Sequence, residues 1–241
     1  MTVYDFPQAW YPLIVTLQYR VRSMSQVAAR PWIGGRSVSG PHAQPWLADM
    51  TIVAERDPLR QDVDAFFTRL RGQSGLLRIS DPTRLAPWYD RNINPTVQAW
   101  SDGALFTDGT GFASGFLPPD VYVDTAASRG ANYIVLGGFP SSTASVIRRG
   151  DLMQVKPDGV AGTCPHLYAA MAGCDSDASG RAGIEISPRL RAGVAAGDQV
   201  SLRYAATIFR MTDDTQFEMN TDNGGAGNLG GSLVEALDLV P

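Results

Sequence analysis

Short runs of alternating apolar and polar residues, each closed by a glycine or proline signal, constrain this chain more than any other feature. From 15 to 22, Val15, Leu17, Tyr19 and Val21 alternate with Thr16, Gln18, Arg20 and Arg22, the period of a half-buried strand. A second segment, 26–33, stops at Gly34-Gly35. A third, 46–55, places Trp46, Ala48, Met50, Ile52 and Ala54 on one face, with Asp49, Thr51 and Glu55 on the other. Three such runs predict an antiparallel sheet. Turn residues are plentiful: 25 Gly and 16 Pro together make 41 of 241 residues. That is about 17% against a usual background of roughly 12%, which favours short elements over a helical bundle.

One segment breaks the pattern. Over 58–71, Leu59, Val63, Phe66, Phe67 and Leu70 form a single apolar stripe at helical spacing. Asp57 is a candidate N-cap, Pro58 suits the first turn, and Gly72 follows as a stop. Asp62 and Asp64 lie early and Arg69 and Arg71 late, matching the helix dipole. A short strand over 76–79 then ends at Asp81-Pro82. Periodicity is lost over 83–120, which reads as a long loop packed down by some of Trp88, Tyr89, Trp100, Phe106, Phe112 and Phe116. Strands return at 121–123, 133–136, 151–156, 166–171, 182–186 and 199–204, spaced as in a small barrel or sandwich. Two of them begin alike, RRGDLMQV and AAGDQVSL, where Gly-Asp reads as a turn feeding a strand. After 207–211 and a polar Gly/Asn stretch, the apolar segment 233–240 is placed to return to the first sheet. The expected fold class is therefore mainly β. A sheet domain with one helix (1–95 with 205–241) is interrupted by a smaller barrel or sandwich (96–204).

Composition excludes several functions. A net charge of -4 with dispersed arginines argues against a dedicated nucleic-acid binder. No apolar run approaches the ~20 residues of a membrane span, and the start of the chain lacks a secretory pattern. Two cysteines, Cys164 and Cys174, do not make a disulfide scaffold.

Chemical motifs are sparse. Gly225, Gly227 and Gly230 spell G-x-G-x-x-G, but too little chain follows for a βαβ unit, so the string reads as a flexible loop. Asp175, Asp177, Ser179 and Gly180 open like a calcium loop, yet the twelfth position is Ile186 where a bidentate Glu is needed. A hairpin turn is the expectation there. Cys164, His166 and Cys174 lack a zinc spacing, and His42 is the only other histidine. Asp213-Asp214 lies in polar turn sequence. Arg148-Arg149, Arg189 and Arg191 read as loop-tip decoration. No nucleophile elbow or phosphate loop occurs. The expectation is no catalytic residues, no cofactor and no metal: not an enzyme.

Four segments, DPLRQDVDAFFTRLRGQSGLLRISDP (57–82), FTDGTGFASGFLPP (106–119), RRGDLMQVKPDG (148–159) and SGRAGIEISPRLRAGVAAGDQVSLRY (179–204), resemble the distal tail protein of long-tailed bacteriophages and prophages. The resemblance extends over most of the chain and rests on structural segments. It implies a belt-type sheet domain with one helix and a second β domain of barrel or galectin-like type. It further implies a structural virion protein, a homohexameric ring joining the tail tube protein to the baseplate hub protein. The tape measure protein is a further candidate neighbour, and DNA is met only in passage. The expected location is the virion tail tip, after assembly in the host cytoplasm. Head-to-tail contacts close such a ring, and the exposed strand edge at 12–22 is the natural place for them. Six copies at -4 each suggest a lumen that DNA slides past. The alternative is a baseplate carbohydrate-binding module that uses Trp88 or Trp100.

Overall fold

The protein is described by a computed structural model covering residues 3–22, 26–27, 38–39, 44–54, 58–89, 95–98, 112–115, 121–156, 166–214, 217, 220–221 and 227–236. In chain order the strands are β1 (Val3–Asp5), β2 (Ile14–Val21), β3 (Gln26–Val27), β4 (Val38–Ser39), β5 (Trp46–Ala54), β6 (Leu76–Ser80), β7 (Pro95–Gln98), β8 (Phe112–Gly115), β9 (Tyr122–Thr125), β10 (Tyr133–Gly137), β11 (Leu152–Lys156), β12 (His166–Ala170), β13 (Ala182–Ser187), β14 (Gln199–Ser201), β15 (Ala206–Met211), β16 (Asn220–Thr221) and β17 (Gly227–Glu235). One α-helix, α1 (Leu59–Leu70), occurs among the described residues. The fold is mainly β, as the alternation predicts. Contacts divide the chain into residues 1–79 with 208–240 and residues 80–207, so the second unit is inserted into the first. Residues 80–89, grouped above with the first domain, cluster with the second.

The first unit is built on a sheet ordered β1-β6-β15-β17-β5-β2, with β16 beside β17. β17 occupies the middle. It runs antiparallel to β5 from Gly227↔Ala54 to Val234↔Leu47, and to β15 through Phe209↔Glu235 and Met211↔Leu233. The predicted return of the chain end is therefore seen in Leu233–Glu235; residues 237–240 lie outside the described ones. The glycine string is corrected: Gly227 and Gly230 lie in β17, not in a flexible loop, while Gly225 lies outside the described residues. The β5 ladder, with β16 on the other side of Gly227 and the Phe217 N–H on Gly230 O, overrides the poor strand propensity of glycine. Burial on β5 follows the predicted face: Trp46, Ala48, Met50 and Ile52 are all buried. The Glu235 carboxylate accepts the Trp46 N–H at 2.8 Å, fixing one end of β17 to β5.

β2 departs from strict alternation. Its register to β5 shifts between Ile14 and Thr16, a bulge, and Val15 emerges 68% exposed where the sequence pattern put it inside. Beyond the bulge, Leu17, Tyr19 and Val21 are half-buried as expected, and the Tyr19 hydroxyl donates to Ile79 O at 3.0 Å. Of the predicted segment 26–33, only Gln26–Val27 is described; it pairs with β4.

Helix α1 runs one residue shorter at each end than predicted. Pro58 caps it without a side-chain bond, Asp57 lies outside the described residues, and Arg71 takes the left-handed conformation (φ 54°) that ends it. Val63, Phe67 and Leu70 are buried, confirming the stripe. Phe66 meets Phe6 and Trp10 edge-on at 6.2 and 5.4 Å, and Phe67 stacks on Phe217 at 4.5 Å. These rings bury large apolar areas with favourable geometry.

The second unit contains a closed barrel, β10-β13-β12-β11-β14-β9, which leaves no free edge among its strands. All six of its strands start within one residue of the predicted positions; the last ends at Ser201, short of Tyr204, whose φ is positive (50°). Its interior is filled by Val123, Ile134, Leu136, Met153, Tyr168 and Ile184, among others. The stretch 83–120, predicted as loop, contains the antiparallel pair β7–β8. Its short, proline-flanked strands carry too few residues for alternation to register.

The two Gly-Asp sequences fold alike. The Arg148 N–H donates to Asp151 Oδ2 at 2.8 Å and the Asp151 N–H returns to Arg148 O at 3.0 Å. Ala195 and Asp198 repeat this at 2.8 and 3.3 Å. Gly150 and Gly197 have φ of 91° and 95°, and a Cβ on either would meet nothing within 4 Å. Glycine is needed for its conformation, not for space. Gly150→Ala and Gly197→Ala should each cost about 1–2 kcal/mol in urea unfolding, the penalty for left-handed backbone; an unchanged midpoint would contradict the turn assignment.

Candidate functional site

Acid–base chemistry needs titratable groups brought together. Among the described residues no three His, Cys, Asp or Glu side chains are grouped so as to hold a metal ion. His42 and Cys164 lie outside the described residues. His166 opens β12 opposite Val155, and its imidazole lies in the barrel end with only 3% exposure. Burial, reinforced by the Arg191 guanidinium, lowers its pKa to about 4. Cys174, bridged to Ile147, is half-buried. Burial, then the neighbouring Asp175, pushes its thiol up to about 11. At neutral pH the imidazole is therefore neutral and the thiol protonated.

The calcium-like segment is a turn. Asp177 Oδ1 accepts the N–H groups of Ser179 and Arg181 at 2.8 and 2.9 Å, and Gly180 takes φ 73°. The Arg181 N–H is the chief reason that the Asp177 carboxyl is held below its usual range. Asp175 turns elsewhere and accepts the Ser145 N–H at 2.6 Å. Ile186, at the position where calcium needs a glutamate, is buried in the barrel.

Several of the other polar candidates have partners in the fold. Asp214 Oδ1 accepts the Gln73 N–H at 2.8 Å beside the end of α1. Arg148 is not a bare loop tip: its guanidinium sits 3.0 Å from the centre of the Trp88 ring. Asp151, 5% exposed, also accepts the Trp88 N–H at 3.0 Å, and Arg84 reaches Gly150 O at 3.1 Å. Thus segment 80–89 is fastened to the β10–β11 turn, and one face of Trp88 is covered. Trp100, Phe106 and Phe116 lie outside the described residues. The Arg191 N–H donates to the Tyr168 hydroxyl at 3.1 Å, and Arg149 and Arg189 are exposed.

What remains open is backbone. β2 ends the strand order on one side and β1 on the other, and among the described strands β2 pairs with β5 alone. A strand at the end of the sheet order, with a described partner on one side alone, is where a further strand can add. Alternation located this strand, and the ring that the resemblance implies makes its edge one of the natural places for pairing. The Asp151 clamp left a single trace in the sequence, the repeated Gly-Asp. No described helix is long and apolar enough to cross a membrane. Neither a protein-family model nor a curated protein matches the chain.

Two outcomes follow from the titratable groups. The unfolded chain protonates His166 near 6.5 and the folded chain only near 4. Stability should be intact above pH 6.5 and fall by about 2–3 kcal/mol as the pH drops toward 4. His166→Gln should flatten this component of the melting curve against pH. With Asp177 engaged by backbone, millimolar calcium should leave the melting temperature unchanged; a rise would restore a calcium site.

Proposed function

We propose that this chain is a structural virion protein that forms a ring at the distal end of a phage-like tail. In this reading it joins the tail tube to the baseplate hub and lets DNA pass. It assembles in the host cytoplasm and resides at the tail tip. The observation that carries the reading is the open sheet of the first unit, whose two ends are different strands, β2 and β1. A ring needs a head-to-tail contact between two different surfaces of the same chain, and non-equivalent edges provide them. β2 has no proline inside it, and beyond the bulge its backbone runs regularly from Thr16 to Val21, a stretch that another strand can meet. The four-segment resemblance and the insertion of a barrel into a sheet domain support the same reading.

Negative-stain imaging of the purified chain should reveal sixfold rings. A monodisperse monomer at every concentration would sink the proposal. The exposed positions Thr16 and Gln18 allow the edge to be blocked without touching the core. Thr16→Lys with Gln18→Lys should convert the ring to monomer in sedimentation while the melting temperature stays close to that of the parent.

A further inference from the structure

The outer faces of the barrel differ. On β11 and β12 the outward residues Leu152, Gln154 and Leu167 are buried. On β9, β10 and β13 the outward face is open, and two large aromatic rings lie on it: Tyr122 at 40% and Tyr133 at 54% exposure. Neither stands up from the sheet. A Cβ at Gly137 would fall 2.9 Å from the Tyr122 ring, and one at Gly183 would fall on the Tyr133 hydroxyl. Each tyrosine therefore lies over a glycine of the next strand, both leaning the same way. Gly183 pairs with Val135, two residues along β10 from Gly137. With a rise of about 3.3 Å per residue and strands about 4.8 Å apart, the two ring seats are about 8 Å from each other.

Polar groups flank the rings. Glu185 pairs with Tyr133 and is exposed, and Met171, also exposed, donates its N–H to Glu185 O at 2.8 Å. Arg181 Nε reaches across β10 to Asp124 Oδ1 at 3.1 Å, and Asp124 also accepts the Thr125 hydroxyl at 3.1 Å. We propose that this β9–β10–β13 face binds a neutral oligosaccharide, with sugar rings laid on Tyr122 and Tyr133 and their hydroxyls held by Arg181, Asp124 and Glu185. A sugar ring offers an apolar C–H face to an aromatic surface. Its neighbouring hydroxyl pairs match the forked geometry of guanidinium and carboxylate groups. Arg181 is offset by Asp124, so Glu185 leaves the face negative and unsuited to anionic sugars. Size argues in the same direction: the three exposed apolar side chains, Tyr122, Tyr133 and Met171, fall far short of the roughly 20–30 residues that each partner gives to a stable protein interface. The inference stands apart from ring formation, because it uses the barrel alone.

The test is calorimetric titration of the full chain with neutral hexasaccharides of glucose, galactose and N-acetylglucosamine, and with a hexagalacturonate. At least one neutral sugar should bind and the uronate should not. Tyr133→Ala and Arg181→Ala should each weaken binding roughly tenfold with the melting temperature unchanged. Gly183→Ala, whose methyl displaces the Tyr133 ring while keeping every polar group, should weaken it as well. The proposal is overturned if no neutral sugar binds, if the uronate binds equally, or if Tyr133→Ala and Gly183→Ala both bind like the parent. Self-association of the parent that Tyr133→Ala abolishes would also overturn it, by making this face a contact between copies.

Discussion

The fold depends on β17 lying between β5 and β15. Without that strand the sheet falls into two unconnected pieces, because β15 and β5 have no other link in the strand order. The ladder is antiparallel on both sides, and its register with β5 is continuous over eight positions. The same sheet explains how the barrel can be inserted into the chain of the first unit. The chain leaves the sheet at β6 and re-enters at β15, which are neighbours. Neighbouring strands are about 4.8 Å apart, so an insertion whose ends lie close together leaves the sheet intact.

How far the sequence could be read depends on which force sets each element. Where one face is buried, alternation or helical spacing located the element to within a residue or two, as for Trp46–Ala54, Leu59–Leu70 and most barrel strands. Where backbone ladders decide, it failed: Gly227 and Gly230 look like loop residues and lie in the central strand. Val15 failed for a different reason, since a bulge adds one residue and turns the side chain outward without altering composition. Seats for Tyr122 and Tyr133 could not be read either. They require knowing that Gly137 lies opposite Tyr122 and that Gly183 lies one strand beyond Tyr133, which is register information.

The acidic residues show one economy of use. Asp81, Asp151, Asp177 and Asp198 each accept backbone N–H groups two to four residues away in the chain, and three of the four are almost fully buried. Carboxylates committed to such turns set the loops between short strands and are poorly placed for proton transfer. The same residue types that suggest metal or acid–base chemistry in the sequence thus serve chain reversal in the fold. Asp151 extends this role by also holding Trp88.

The bulge at Val15 has a consequence for the open edge. A strand adding to β2 finds a regular run of backbone groups only along residues 16–21, since the extra residue breaks the spacing before Thr16. A slide in one direction carries the incoming ladder into the break, and a slide in the other shortens it. For a strand that added there, the irregularity would be a mechanical stop, favouring one alignment over the staggered stacking that turns open edges into fibrils.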